Sequence, residues 1–314
     1  MPSVLMAKLK RLGSGGANQS YLWLRFGCNF IWRPALPLCI VRSMSSEKIV
    51  ICGEGGFIGG QSQRNYSGVG VIIPTYKEAE NIGRLVQEVL RLLPGAIIAV
   101  VDDSPDEETE RAVKELGLTT VSFIARRKKG GRGSAVLEGM ALLASKGCER
   151  MVDMDADFSH SPEELPALLQ EAEERNLDLL IASRYLPGSE IRNWSLSRRA
   201  LSKTANILSK LLLRYPITDY TNAYRVYSRK ACSVALQSCG KYSKGFITLS
   251  ESLVNFYARG LSIGERPTIW VNRVRGESSV NFEELKNAIV GLANIYRLKH
   301  QLQKEQRQKQ QKQG

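Results

Sequence analysis

The stretch VGVIIPTYKEAENIGRLVQEVLRLLPGAIIAVVDD, residues 69–103, decides the fold. Val69–Ile73 reads as a short apolar strand ending at Pro74. Glu78–Leu93 follows with helical spacing: Ile82, Leu85, Val86, Val89, Leu90 and Leu93 recur every three or four residues. Ala96–Val101 reads as a second strand and ends in Asp102-Asp103. The alternation continues outward from there. Glu107–Leu116 predicts a helix, Thr120–Ala125 a strand, and Gly133–Lys146 a helix entered through Gly130-Gly131-Arg132-Gly133. Met151–Met154 predicts a strand ending in Asp155-Ala156-Asp157, Pro162–Arg175 a helix and Leu179–Ala182 a strand. Strands alternating with helices imply an α/β layered domain with a mostly parallel central sheet flanked by helices. Such sheets bind ligands outside the carboxyl ends of their strands. Thr75–Glu78, Asp102–Asp103, Asp155–Asp157 and Ser183–Arg184 all fall at those ends.

The rest of the chain sets bounds on that domain. Of 314 residues 43% are hydrophobic and 24% charged, an ordinary globular balance. The formal charge of +13 is concentrated at the termini. Residues 1–46 hold six basic residues and no acid, and the segment from Arg297 onward holds six against Glu305. A nucleic-acid-binding protein spreads its basic residues over a folded face. Basic ends on a nearly neutral domain suit an anionic membrane surface instead. The division expected is a poorly organised basic extension over 1–68, the α/β domain over 69–299 and a basic Gln/Lys-rich tail over 300–314.

The six cysteines show neither zinc-ligand spacing nor a disulfide framework, which suits reduced thiols in the cytosol. No uncharged apolar run reaches the roughly 18 residues a transmembrane helix needs. Tyr21–Val41 comes nearest, but Arg25, Arg33, Pro34 and Pro37 interrupt it. The acid-free start has the character of a transit peptide or of an upstream extension, with Met44 as one alternative start. Lys48–Gly59 has the look of a strand and Gly-rich turn of a dinucleotide site. The helix that such a site requires after its turn is not predicted.

Asp155-Ala156-Asp157 places two carboxylates one residue apart at the end of a buried strand. That arrangement suits Mg2+ or Mn2+, hard cations that bridge protein carboxylates to a diphosphate. Asp102-Asp103 repeats the pattern one strand earlier, able to accept hydrogen bonds from a ribose or a base edge. One of the two could equally cap a helix beginning near Ser104-Pro105. Arg184, Arg198, Arg273 and Arg275 are candidate phosphate clamps, because a guanidinium fork stays charged and matches phosphate oxygens. Leu196–Leu213 carries apolar residues at helical spacing among Arg198, Arg199, Lys203, Lys210 and Arg214. Such a helix can lie in a bilayer interface or against a core.

Residues 69–299 resemble dolichol-phosphate mannosyltransferase and its polyprenyl-phosphate relatives among the family 2 glycosyltransferases. The matching stretches are Ile73-Pro74-Thr75-Tyr76-Lys77-Glu78, Val101-Asp102-Asp103-Ser104-Pro105-Asp106 and Gly131-Arg132-Gly133-Ser134-Ala135. Met154-Asp155-Ala156-Asp157-Phe158-Ser159-His160, Ser183-Arg184-Tyr185, Trp194 to Arg198, Asp219 to Tyr227 and Arg273 to Ser278 complete the series. The resemblance implies a GT-A fold. It implies nucleotide-sugar contacts from Pro74, Tyr76, Glu78, Asp102 or Asp103, Asp155, Ala156 and Arg273, and a metal on Asp155 and Asp157. Arg184 and Arg198 would lie by the acceptor phosphate, with Asp157 completing the catalytic set. Three departures stand out: the Asp-Asp loop is one residue short, Arg132 stands where leucine is usual, and Ser279 where lysine is usual.

The implied reaction moves a sugar, foremost mannose from GDP-mannose, onto a polyprenyl (dolichyl) phosphate. A phosphate monoester is already anionic near neutral pH, so attack at the anomeric carbon needs no general base. Inversion is the expected outcome. The implied partners are a nucleotide-sugar donor, a polyprenyl phosphate, a membrane surface on its cytoplasmic face and small membrane-anchoring subunits, with no nucleic acid. The alternatives are UDP-glucose or another donor, or a hydroxyl acceptor on protein or glycan with Glu251 as base. A nucleic-acid binder driven by the termini and an inactive anchoring subunit complete the set.

Overall fold

The structure is a computed structural model. It describes residues 64–128, 130–242, 247–272 and 282–313, together with short strands nearer the N-terminus. It separates into two compact units, Met1–Ser62 and Gln63–Gly314. In the first unit, Leu5–Lys8 pairs antiparallel with Tyr21–Leu24. Cys39–Arg42, Ile49–Gly53 and Gly56–Ile58 form a second antiparallel set. Strand Ile49–Gly53 is thus followed at Gly56–Ile58 by a second strand, where a dinucleotide site requires a helix.

The second unit is built on a seven-stranded sheet. Its elements are β1 Val69–Thr75, α1 Ala79–Leu92, β2 Ile97–Asp102, α2 Glu108–Lys114, β3 Val121–Ala125, α3 Arg132–Ser145 and β4 Arg150–Asp153. After a 3-10 turn at Pro162–Glu164 come α4 Leu165–Glu174, β5 Leu179–Ser183, β6 Glu190–Arg192, α5 Leu196–Leu213 and β7 Arg225–Ser228. The chain ends through α6 Arg229–Ser238, α7 Ile247–Ala258, β8 Ile263–Pro267, β9 Ile269–Val271 and α8 Phe282–Gln313. The sheet order is β8-β5-β7-β4-β1-β2-β3. All pairings are parallel except those of β7, which runs antiparallel between β4 and β5. β6 and β9 form a separate parallel pair.

The core lies on both sheet faces. Ile82, Leu85, Val86 and Val89 of α1 are wholly buried against β1 and β2, joined by Leu165, Leu168 and Leu169 of the α4 segment. On the other face α3, α6 and α7 cover Ile72, Met151 and Ile181. Gly139 permits a close approach of α3, since a Cβ there would meet Ile72 at 2.6 Å. The carboxyl ends of β1, β2, β4 and β5 open to one edge, as the strand–helix alternation leads one to expect.

One expectation is corrected. Neither Asp102 nor Asp103 caps a helix near Ser104-Pro105, because α2 starts only at Glu108. The side chain that meets its first turn is Asp106, which accepts the Glu108 N–H at 3.3 Å. The aspartates are left for other work. Arg273, Arg275 and Ser279 lie outside the described residues.

Candidate active site at the sheet's carboxyl edge

Asp102 and Asp103 end β2 and have different surroundings. Asp102 is wholly buried, and its Oδ1 accepts the hydroxyls of Thr75 at 2.8 Å and Ser104 at 2.7 Å. Its Oδ2 is buried with no hydrogen-bond partner. Such an acceptor is costly unless a ligand donor reaches it. Asp103 instead accepts from Arg126, from Gly130 N–H at 2.8 Å and from Gly131 N–H at 3.0 Å. It ties down the loop that leads into α3. Gly131, the N-cap of α3, has φ +91°, which a side chain resists and glycine adopts freely. The two neighbours thus divide the labour: Asp103 shapes the wall and Asp102 keeps a buried, unsatisfied acceptor.

The remaining donor-side candidates frame that acceptor. Pro74 is half-buried on β1, Tyr76 presents an exposed ring and Glu78 accepts the Asn81 amide at 2.8 Å. Lys77 N–H bonds the Ser104 hydroxyl at 2.7 Å, so the β1 and β2 loops brace each other.

Asp155 and Asp157 follow β4, with Ala156 buried between them. The Asp155 side chain is 30% exposed, and Asp157 Oδ1 accepts the Ser159 N–H at 3.0 Å. His160 positions the loop. Its Nδ1 accepts the Asp155 N–H at 3.0 Å, so its Nε2 carries the proton, facing Asn222 Oδ1 at 3.2 Å. The ring stacks on Tyr224, centroids 4.7 Å apart. Among the described residues no three His, Cys, Asp or Glu side chains cluster to hold a metal. Two carboxylates with hard oxygens at a half-open strand end nevertheless fit Mg2+ or Mn2+, which complete their shell with phosphate and water.

Below them lies an ion pair that the spacing of the sequence does not reveal. Arg132, the first residue of α3, donates to both oxygens of the buried Asp153, at 3.0 and 2.7 Å, and from Nε to Asp155 Oδ1 at 2.9 Å. Burial opposes the charge, but Asp153 and Asp155 outweigh it and hold the guanidinium's pKa above its ordinary value.

The other side of the edge is cationic. Arg184 follows β5 and forms a fork on Asp219, with Nε at 2.8 Å and Nη2 at 2.9 Å, and Nη2 also reaches the Thr221 hydroxyl at 2.7 Å. Burial works against its charge, and Asp219 reverses the balance, with a smaller contribution from Asp155, so its pKa is raised. Arg198, in the first turn of α5, bonds Asn272 Oδ1 at 2.9 Å. Its guanidinium lies 4.9 Å from the Trp194 ring and 5.4 Å from that of Trp270. Arg184 flanks Trp194 at 5.5 Å, and the indole Nε1 is buried without a partner. Two arginines braced by tryptophans face a carboxylate-lined half. Trp270 and Asn272 belong to no motif of the sequence, and Trp194 and Asp219 belong to motifs that give them no role, because their meeting depends on loops far apart in the chain.

Residues 70–235 match the family described as glycosyl transferase family 2. The chain belongs to that family. Among curated family 2 relatives, the polyprenol monophosphomannose synthase of Mycolicibacterium smegmatis is 38% identical over 229 residues, covering 71% of this chain and 84% of that protein. The undecaprenyl-phosphate mannosyltransferase of Micrococcus luteus is 33% identical over 226 residues, covering 70% of this chain and 90% of its own. Among solved structures, glucosyl-3-phosphoglycerate synthase from Mycobacterium tuberculosis, in complex with Mn2+, UDP and glucosyl-3-phosphoglycerate, superposes with a TM-score of 0.53. That match covers 72% of this chain and 79% of that one, at 17% identity, and is a likeness of fold. The family 2 domain here has the GT-A fold.

Proposed function

We propose that this family 2 glycosyltransferase moves mannose from GDP-mannose onto a polyprenyl phosphate, with inversion, at the cytoplasmic face of a membrane. The observation that carries the reading is the polarity of the edge: Asp102, Asp155 and Asp157 on one side, Arg184 and Arg198 on the other. Carboxylates suit a nucleotide and a metal, and arginines suit an acceptor that is itself a phosphate. The two curated relatives are named for polyprenyl-phosphate mannosylation, which agrees.

In this reading Asp102 Oδ2 accepts from the ribose or base, with Pro74, Tyr76 and Glu78 beside it. Asp155 and Asp157 would hold Mg2+ or Mn2+, which when bound neutralises charge on the leaving diphosphate. Arg198, with Arg184 behind it, orients the acceptor phosphate. A phosphate oxygen then bonds to the anomeric carbon as the bond to the diphosphate oxygen breaks, and the nucleoside diphosphate leaves. No side chain needs to take a proton. The carboxylate considered as a base for a hydroxyl acceptor, Glu251, is wholly buried on α7 and accepts the N–H groups of Gly240 at 2.9 Å and Lys241 at 3.3 Å. That placement favours the phosphate acceptor.

α5 suits the membrane. Its buried residues include Asn206 and Ser209, while Leu196, Ile207, Leu208 and Leu211 are exposed. Asn206 faces inward because it accepts the Tyr220 N–H at 2.7 Å and donates to the Thr221 hydroxyl at 3.0 Å. The loop that holds Arg184 thus claims the polar side of α5; Leu213 at its end is buried, while Leu196, Ile207, Leu208 and Leu211 point out among Arg199, Lys203, Lys210 and Arg214. Basic residues around apolar ones match an anionic cytoplasmic leaflet. No helix among the described residues is long and apolar enough to cross a membrane.

Labelled mannose from GDP-mannose and labelled glucose from UDP-glucose, each offered with polyprenyl phosphate and Mn2+ or Mg2+, test the proposal. Mannose transfer that EDTA abolishes is expected. Glucose transfer alone would replace the donor assignment.

A further inference from the structure

Arg132 stands where the family resemblance leads one to expect leucine, and it meets the buried Asp153. The anchoring is strong on one side. Asp153 is wholly buried and takes two hydrogen bonds from Arg132. A buried carboxylate stripped of its partner is heavily penalised, so Arg132 cannot swing away into solvent without cost. The other side is exposed to competition. Nε at 2.9 Å and Nη2 at 2.8 Å both lie on Asp155 Oδ1, and Asp155 is half-open to the cleft. Behind the pair lies a mainly apolar cavity of about 20 Å³, lined by Val136, Leu137, Met140 and Leu249 beside Arg132 and Asp153, so the guanidinium is not packed tight on that side.

We propose that Arg132 is a tethered cation that competes with the divalent metal for Asp155, so that the metal enters efficiently only together with the nucleotide. This rests on the metal reading given above. Free metal must displace or share Oδ1 with a fixed positive charge, which weakens binary binding. A nucleoside diphosphate adds negative charge and phosphate oxygens at the same place and offsets the guanidinium. Linkage then requires the metal to strengthen nucleotide binding by the same factor.

Binding of MnCl2 to the full-length chain, followed by the EPR signal of free Mn2+ with and without GDP, tests this without turnover. Two variants remove the contact while leaving the site's net charge unchanged. Arg132→Leu combined with Asp153→Val deletes the ion pair as a unit, and Arg132→Lys keeps the charge beside Asp153 but loses the planar fork. Loss of a charge-assisted hydrogen bond to Asp155 is expected to tighten Mn2+ binding without GDP about tenfold in the double variant. A smaller gain is expected in Arg132→Lys. The ratio of the two Mn2+ affinities, with and without GDP, should shrink in step. Wild-type Mn2+ affinity in whichever variants fold, as checked by circular dichroism, would overturn the role given to Arg132. Wild-type protein that binds no Mn2+ even with GDP would instead overturn the metal reading beneath it.

Discussion

The two halves of the carboxyl edge solve opposite problems. The half proposed to hold the donor gathers carboxylates, and its chief danger is self-repulsion. Asp102 is steadied by hydroxyls, Asp103 by backbone N–H groups and Arg126, and Asp155 by Arg132. The half proposed to hold the acceptor gathers arginines, steadied by Asp219 and by indole faces beside them. In each half buried groups of opposite charge or matching hydrogen bonds hold the working side chains in place. The lesson is that charge at this edge is sorted by strand: β2 and β4 deliver acid, while β5 and the start of α5 deliver base.

Substitutions that attack one half alone should separate donor from acceptor effects. The largest loss is expected for Asp157→Ala, about 10³-fold in kcat at saturating donor and acceptor, because stabilisation of the leaving diphosphate disappears. Arg198→Ala should lower kcat/KM for polyprenyl phosphate about 100-fold in initial-rate assays while leaving the GDP-mannose KM near wild type. Arg198→Lys should recover part of it, since a point charge replaces the fork. An equal rise in both KM values would blur the division between the halves. Leu208→Glu with Leu211→Glu should weaken co-sedimentation with anionic vesicles about 100-fold or more, given roughly 1.5–3 kcal/mol for each buried leucine. Transfer to a short-chain acceptor in detergent should persist in that variant. The smallest effect should separate two neighbours within the donor half. Asp102→Asn should raise the donor KM about tenfold. Asp103→Asn should act mainly on stability, lowering it by about 2 kcal/mol in thermal melts.

Much of the donor half was legible because its residues sit at ends of strands whose apolar runs are local. β1, β2, β4 and β5 each announce themselves within a few residues, and their parallel order follows from the helices between them. The choice between Asp102 and Asp103 was not legible. It depends on Gly130 and Gly131, which come from the loop between β3 and α3. The Arg132–Asp153 pair stayed hidden for a similar reason: a helix start and a strand end meet only after the sheet forms. In the acceptor half Arg184 and Arg198 could be singled out, but their supports could not. Trp270 and Asn272 arrive through the β6–β9 pair, a parallel contact that no local pattern signals. The outward face of α5 lay between two readings in the sequence, because its period fits a core or a membrane equally. The inward hydrogen bonds of Asn206 decide which side is buried.

The central claim is that the nucleophile is a phosphate positioned by arginines, with no base taking a proton. The most direct measurement offers wild-type enzyme, GDP-mannose and metal either polyprenyl phosphate or the matching polyprenol, at equal concentration in the same detergent. The account predicts mannose transfer to the phosphate and none above background to the alcohol. Comparable transfer to the alcohol would contradict it, because a hydroxyl acceptor needs the general base that this mechanism omits.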